Sequence, residues 1–353
     1  MPNWNESMQQ TYEYYVVDPI TWTDETRLDT VRSSTITWDL STDTLGTATI
    51  DADSDLGEKY VRIYLVTIQN GVKERTVLGT FLVQTPSTEF DGKISKVSMD
   101  AYSPLIELKD QYPPFGYTIP KDAVTMNVVG PACEENVRAP VILANDSATM
   151  FKDYSADPSE TWLSFLQSAL SNAKYQFSVD EMGRILFSPI QQINALQPVW
   201  FYDDDNSSIL QPRLSIDRDL YGMPNVAEVL YSDSGLMYYS RVVNDDENSP
   251  TSTVNRGREV VHRVVNPDFD GQPTQEQIEA YTKQLLISLS SLEYTVSYTH
   301  AYCPVRIGDC VMLNYVRGGI SNVRAKVISQ SIQCKTGCQV SETAIFTQTL
   351  WGG

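Results

Sequence analysis

Basic residues are scarce in this chain. Its 353 residues hold 26 Lys and Arg against 45 Asp and Glu, a formal net charge of -19. Such a surface repels phosphate backbones and anionic headgroups, so nucleic-acid or membrane binding through a basic face is not expected. Long apolar runs are absent too, and no stretch approaches the roughly 20 residues of a membrane span. The N-terminus, MPNWNESMQQ, lacks the apolar segment of an export signal, which predicts a soluble, non-secreted chain. Five cysteines form no regular framework and suit a reducing compartment such as cytoplasm. There is no nucleophile elbow, no His-x-x-x-His pair and no glycine loop shaped for phosphate.

Twenty Tyr and six Trp, with many Thr and Val, point to β structure. The plainest element is Gly57 to Val83, GEKYVRIYLVTIQNGVKERTVLGTFLV. Val61, Ile63 and Leu65 alternate with Arg62, Tyr64 and Val66, predicting one apolar and one mixed face. Asn70-Gly71 supplies the turn, since a type I′ connection needs positive φ at both central residues. Ser34 to Leu40, Thr47 to Ile50 and Ile94 to Met99 read as further short strands of a small antiparallel barrel or sandwich. Ser103 to Leu108 reads as a helical turn closing this domain. Before it, Tyr12, Tyr14 and Tyr15 suggest an extended arm laid on a neighbour.

After the break at Tyr112-Pro113-Pro114-Phe115-Gly116 the character changes. Asp157 as N-cap, Pro158 at N1 and Glu160 at N3 predict a helix start. Trp162, Phe165, Leu166, Ala169 and Leu170 then share one face. Tyr175 to Val179, a turn over Asp180 to Gly183, and Arg184 to Phe187 form a hairpin. From Gln197 strands return, including Asn225 to Tyr231 and Tyr294 to Tyr302. Asn244 to Asn255 is a loop by composition. Thr274 and Gln277 form a capping box ahead of a helix with Ile278, Tyr281, Leu285 and Leu289 as its buried stripe. Gly308 to Tyr315, a glycine turn at Gly318-Gly319, and Asn322 to Gln330 echo the first hairpin, with Gly308 laid beside Gly57. The pattern is compatible with an internal duplication.

The expected architecture is therefore β-rich α+β and multidomain. Two small antiparallel β-barrel-like domains, pseudo-duplicated, flank a smaller α+β domain, with an inserted helix. The boundaries fall at 1–108, 109–190 and 191–353, the last holding an inserted loop and helix at about 232–292.

No residue set demands chemistry. Asp51-Ala52-Asp53-Ser54-Asp55-Leu56-Gly57 begins like a calcium loop, but Gly stands one place late and Arg62 occupies the position of the bidentate Glu. It reads as a solvated loop, as do Asp203-Asp204-Asp205 and Asp245-Asp246-Glu247. Cys303, Cys310, Cys334 and Cys338 are the zinc candidates; only the last two have suitable spacing. Across a hairpin turn these two could be ligands, a disulfide or small apolar side chains, and buried free thiols are the expected state. His262 and His300, the two histidines, sit in strand contexts that favour structural imidazoles. No catalytic residue, cofactor or metal is expected.

The order of several phrases resembles the baseplate hub, or tail tip, proteins of tailed bacteriophages and phage-derived contractile particles. They are Tyr60 to Val83 ending LGTFLV, then Ala101-Tyr102-Ser103-Pro104-Leu105, then Thr161-Trp162-Leu163-Ser164-Phe165-Leu166 leading to Tyr175 to Ile185. Tyr221-Gly222-Met223-Pro224-Asn225-Val226, Ser249-Pro250 and Pro304 to Val311 follow. The resemblance implies a non-enzymatic homotrimer in the virion tail tip, assembled in the host cytoplasm. Its two related barrels per subunit would alternate around a pseudo-sixfold ring about the DNA channel. Such a ring would join the tail tube or distal tail protein to a central spike or tail fibre protein, with the tape measure protein as a further candidate partner. It implies no membrane binding and no specific nucleic-acid binding. No fused wall-degrading or protease domain is expected after Trp351-Gly352-Gly353. A receptor- or carbohydrate-binding tail β-protein, using its Tyr and Trp for stacking, is the alternative reading. A glycoside hydrolase drawing on two of the acids is a third.

Overall fold

The computed structural model describes residues 2–92, 94–205, 208–233, 235–269 and 271–352, with the side chains of 91, 94 and 95 set aside. The chain opens with strands Gln9–Val17 (β1), Asp24–Arg27 (β2), Val31–Asp39 (β3), Gly46–Ala52 (β4), Tyr60–Gln69 (β5), Val72–Asp91 (β6) and Ile94–Tyr102 (β7), then the short helix Ile106–Lys109 (α1). A mixed stretch follows: Thr118–Ile119 (β8), helix Thr125–Asn136 (α2), Val141–Ile142 (β9), Tyr154–Ser155 (β10), helix Trp162–Asn172 (α3), Tyr175–Val179 (β11) and Ile185–Pro189 (β12). Strands then resume with Pro198–Asp203 (β13), Leu210–Arg218 (β14), Val226–Asp233 (β15) and Leu236–Val243 (β16). Helix Thr253–Arg256 (α4), Val261–Val265 (β17), helix Gln275–Leu289 (α5), Ser291–Ala301 (β18), Cys310–Tyr315 (β19), Ile320–Cys334 (β20) and Gln339–Thr349 (β21) complete it. The fold is β-rich α+β and multidomain.

Contacts divide the chain into two units. One holds the residues up to Leu214 together with Ser297–Ala344; the other holds Ser215–Val296 and the segment from Ile345.

In the first unit, the hairpin of β5 and β6 turns at Asn70 (φ 51°) and Gly71 (φ 78°), as the sequence requires. Its return strand is longer than expected. The face expected to be mixed is buried as well: the stretch from α1 to β12 covers it at Tyr60 and Arg62, and Asp24, Tyr15 and Arg75 cover Tyr64. Tyr60 and Leu82 join the core made by Leu105, Leu108, Phe165, Leu166 and Phe187. Of the run beginning at Ile94, Val97 and Met99 are buried, and the Ile94 side chain lies outside the described residues. The tyrosine-rich N-terminal stretch is not an arm reaching for a neighbour. It is β1, antiparallel to β5 from Gln9↔Ile68 to Val17↔Tyr60, because its own alternation matches the free edge of β5.

Helix α3 buries Trp162, Phe165, Leu166, Ala169 and Leu170, the predicted face. Its N-cap is Thr161, whose hydroxyl accepts from Ser164 N at 3.3 Å, not Asp157. Asp157 instead accepts from Ser159 N, and Glu160 accepts from Asp157 N, closing a separate turn ahead of the helix. The same capping chemistry was spent one turn too early.

The turn between β11 and β12 holds this unit together. Asp180 accepts from Arg184 N and pairs with the Arg184 guanidinium at 2.6 Å. The Met182 carbonyl accepts from Trp22 Nε1 at 2.7 Å and from buried Arg62 at 3.2 Å, while the Glu181 carbonyl accepts from Thr80 at 3.0 Å. Gly183 has φ +76°, and an added Cβ would lie 2.9 Å from Thr80 and 3.0 Å from Trp22.

The second unit is built on the sheet β16-β15-β17, antiparallel on one side and parallel on the other. Helix α5 lies on it, opened by the expected capping box of Thr274 and Gln277. Its buried line is Ile278, Thr282 and Leu286; Tyr281, Leu285 and Leu289 flank it half-buried. The polar stretch Asn244 to Asn255 is the expected loop as far as Ser252, with Asp245 to Asn248 exposed, and it runs into α4, yet part of it is buried. Asn244, Ser249, Thr251 and Ser252 are buried, and Asn244 Nδ2 donates to Ser249 Oγ at 2.9 Å. Asn255 Nδ2 donates to the Glu247 and Ser249 carbonyls, so short polar side chains here satisfy each other inside the unit.

Gly183→Ala is expected to lower unfolding free energy by about 2 kcal/mol, because positive φ and lost clearance add. Gly116→Ala, with φ +78° but open space, should cost roughly half as much. Urea midpoints of the two variants check the difference.

Candidate functional site

The feature with functional content is a repeat in strand order. From β1, the first six-strand set runs β1-β5-β6-β7-β4-β3; from β13, the second runs β13-β19-β20-β21-β18-β14. Numbered along the chain, both read first, fourth, fifth, sixth, third, second. The first pairing differs: β1 is antiparallel to β5 whereas β13 is parallel to β19. The hairpin registers also correspond. The β5 ladder begins at Tyr60↔Leu82 and the β19 ladder at Cys310↔Lys326. Just beyond, Val83 N donates to Lys59 O and Val327 N to Asp309 O, both at 2.9 Å. Cys310 thus stands where Tyr60 stands. Laying Gly308 beside Gly57 is off by one, because glycine marks the turn and not the parity of the ladder.

The two sets are one sheet. β20 runs antiparallel to β3 from Ser329↔Asp39 to Cys334↔Ser34, completing a sheet of thirteen strands among the described residues. The turn between β11 and β12 grips both sets. Beyond its bonds to Trp22, Arg62 and Thr80, the Glu181 carboxylate takes a bidentate pair from Arg306 at 2.5 and 2.7 Å. A cleft of about 440 Å³ opens beside this turn, walled by Trp38, Gln176, Arg184, Tyr302, Asp309 and Lys326. Asp180, Glu181, Arg184 and Arg306 are already paired with one another there, and Asp309 accepts from Arg306 N. These paired charges brace the seam between the two sets.

A buried ionic cluster lies inside the second set. His300 Nε2 is 3.2 Å from Glu342 and 3.1 Å from Tyr202 OH; His300 Nδ1 donates to Ala301 O at 2.7 Å. Cys303 Sγ is 3.1 Å from Tyr202 OH but 3.9 Å from His300 Nδ1. Burial by itself would drive the imidazole neutral, yet Glu342 and Cys303 outweigh it and raise His300 to about 10. Burial likewise disfavours the Glu342 carboxylate, but His300, Gln330 and Tyr298 hold its pKa below the ordinary value. The opposite shifts favour an ion pair between His300 and Glu342, with the Cys303 thiol beside it. The sequence carried a signal for it: His300 falls on the parity of Leu292, Tyr294, Val296 and Tyr298, and Glu342 on that of Val340, Ala344 and Phe346.

The other candidates stay apart. His262 is exposed on β17, not a buried structural imidazole, because its side of that strand end is left uncovered. Cys303, Cys310, Cys334 and Cys338 are buried free thiols, as is Cys133. Among the described residues no group of three or more His, Cys, Asp or Glu is arranged to hold a metal. Asp51 accepts from Ser33 and Ser98, Asp53 pairs with Arg32, and Asp55 accepts from Gly57 N. Asp203 accepts from Asn314 and Asp204 pairs with Arg317. The acidic runs are turn and edge partners. No helix among the described residues is long and apolar enough to cross a membrane.

No family model matches the sequence, and no curated protein matches it. Solved structures do match over the whole chain. The tail protein from Neisseria meningitidis MC58 aligns with TM-score 0.61 at 13% identity, covering 97% of this chain and 98% of the other. The 43 kDa tail protein of prophage MuSo2 from Shewanella oneidensis aligns with TM-score 0.60 at 12% identity, covering 95% and 98%. This chain has the fold of phage tail proteins. The aligned lengths cover residues of both units.

The ion pair sets a pH dependence. His300 has a raised folded pKa, so its contribution is complete below the ordinary 6.5 and lost as pH rises through about 10. Glu342, with a lowered one, contributes above 4.5 and loses this as pH falls. His300→Gln should cost roughly 3 kcal/mol at pH 6 and much less at pH 10, read as urea midpoints across that range.

Proposed function

We propose that this chain is a structural subunit of a phage tail tip, a hub whose copies form a trimeric ring. Two equivalent strand sets per copy, three copies round, would present six similar positions to a sixfold tube and three to a spike or fibre assembly. The observation that carries the reading is the repeated strand order inside a fold shared end to end with tail proteins. On this reading the division into 1–108, 109–190 and 191–353 reflects two ring-building parts and a bracing one between them. The ring surrounds the DNA channel, and the net charge of -19 suits a wall that DNA slides past without sticking. Its partners would be the tail tube or distal tail protein above and the spike or fibre protein below. The role on this reading is non-enzymatic, and the cluster of His300, Cys303 and Glu342 found among the described residues is buried, with His300 beside Glu342.

Light scattering on the purified chain is expected to give three times the chain mass at high concentration. A map of the assembled tail should place it between tube and spike. A monomer that binds glycan through exposed aromatics, or protein that cleaves peptidoglycan and loses this on a single Asp or Glu replacement, overturns the reading.

A further inference from the structure

The repeat makes a specific demand on how copies meet. Inside one chain, residues 329–334 of β20 lie beyond the end of the β19 ladder, and that stretch pairs with β3, the second strand of the other set. The equivalent stretch of the first set follows from the hairpin registers. Lys326 corresponds to Leu82, so 329–334 corresponds to 85–90 of β6.

That stretch of β6 has one edge free. It pairs with β7 from Thr85↔Asp100 to Phe90↔Ser95, while its β5 ladder ends at Tyr60↔Leu82 with one further bond from Val83 to Lys59. Among the described strands, none takes the place that β3 takes beside β20. Residues 85–90 are exposed, Phe90 at 78%. The matching gap lies at the other end of the sheet. β14 is the second strand of its set, the counterpart of β3, and it ends the strand order with only β18 beside it. One chain therefore holds one satisfied junction between sets and the two unsatisfied halves of another.

We propose that copies of this chain join edge to edge, with β14 of one copy pairing with residues 85–90 of β6 of the next. The contact is head-to-tail, so it repeats from copy to copy and closes when the rotation allows. It rests on the ring reading and names the surface that builds the ring. Two further features fit. Glu89 lies on one edge and Arg213 and Arg218 on the other, with Asp217 between them, so the β14 edge carries a net positive charge opposite Glu89. Each free edge also carries a proline, Pro86 and Pro212, whereas 34–39 and 329–334 carry none. Proline on an edge removes a donor and discourages indiscriminate pairing before the proper partner arrives.

The test is cysteine cross-linking. Thr88→Cys is combined with a single cysteine at each of residues 213–217 in turn, in full-length protein under mild oxidant, with mass measured in parallel. The native cysteines are all buried and stay out of the reaction. The expected result is inter-chain disulfides at alternate positions only, because successive side chains of a strand point to opposite faces. Thr88→Pro should leave the circular dichroism unchanged and abolish the oligomer. Oligomers that form without cross-links, or with equal cross-linking at all five positions, overturn the edge pairing and leave the ring reading standing. A chain that stays monomeric at every concentration overturns both.

Discussion

The structure depends on a buried guanidinium. Arg62 is 2% exposed, on a strand whose both faces are covered, and it donates to Asp24 at 2.8 Å, Thr80 at 3.0 Å, and the carbonyls of Trp22 and Met182. A charge in such a place is tolerable only when it is paired and most of its donors are used, and losing a partner leaves it stranded at a cost of several kcal/mol. The geometry therefore ties the first hairpin, the β1–β2 turn and the β11–β12 turn to one arrangement. Tyr64 donating to Asp24 at 2.6 Å tightens it further.

From that point the bracing extends in both directions. The same turn that receives Arg62 through Met182 offers the Glu181 carboxylate to Arg306, just ahead of β19. The mixed α/β stretch thus holds equivalent parts of two strand sets from one short loop. Such a brace suits a rigid body that must keep two similar surfaces at a set spacing. A shared sheet joined by β3 and β20 resists bending between the two strand sets. The His300–Glu342 pair does a comparable job inside the second set, locking β18 to β21 through charge rather than size.

Much of this was legible. The hairpin at Asn70-Gly71, the apolar face of α3, the capping box of α5 and the duplicated grammar near Gly308 all follow from local rules of period, turn and cap. The errors have local causes too. Asp157-Pro158-Ser159-Glu160 has the chemistry of a helix start but closes a turn of its own, and Thr161 does the capping. The stretch Asn244 to Asn255 is largely the loop its composition indicates, but composition cannot show that Asn244, Ser249, Thr251 and Ser252 are buried within it. The buried histidine was visible as a residue, and its partner Glu342 as a misplaced acid on an apolar parity, but not their meeting.

By itself, the sequence determined the elements: which stretches alternate, where they turn, and that a late hairpin echoes the first. Those properties depend on neighbours within a few residues and on the two-residue period of a strand. That the echo belongs to a repeated six-strand order came from the structure. Only the tertiary structure decided that β20 pairs with β3 and that β1 closes on β5. It also decided that β14 and residues 85–90 are left with open edges. Strand pairing joins residues hundreds of positions apart through backbone bonds that every amino acid but proline can make, so little in the side-chain pattern names the partner.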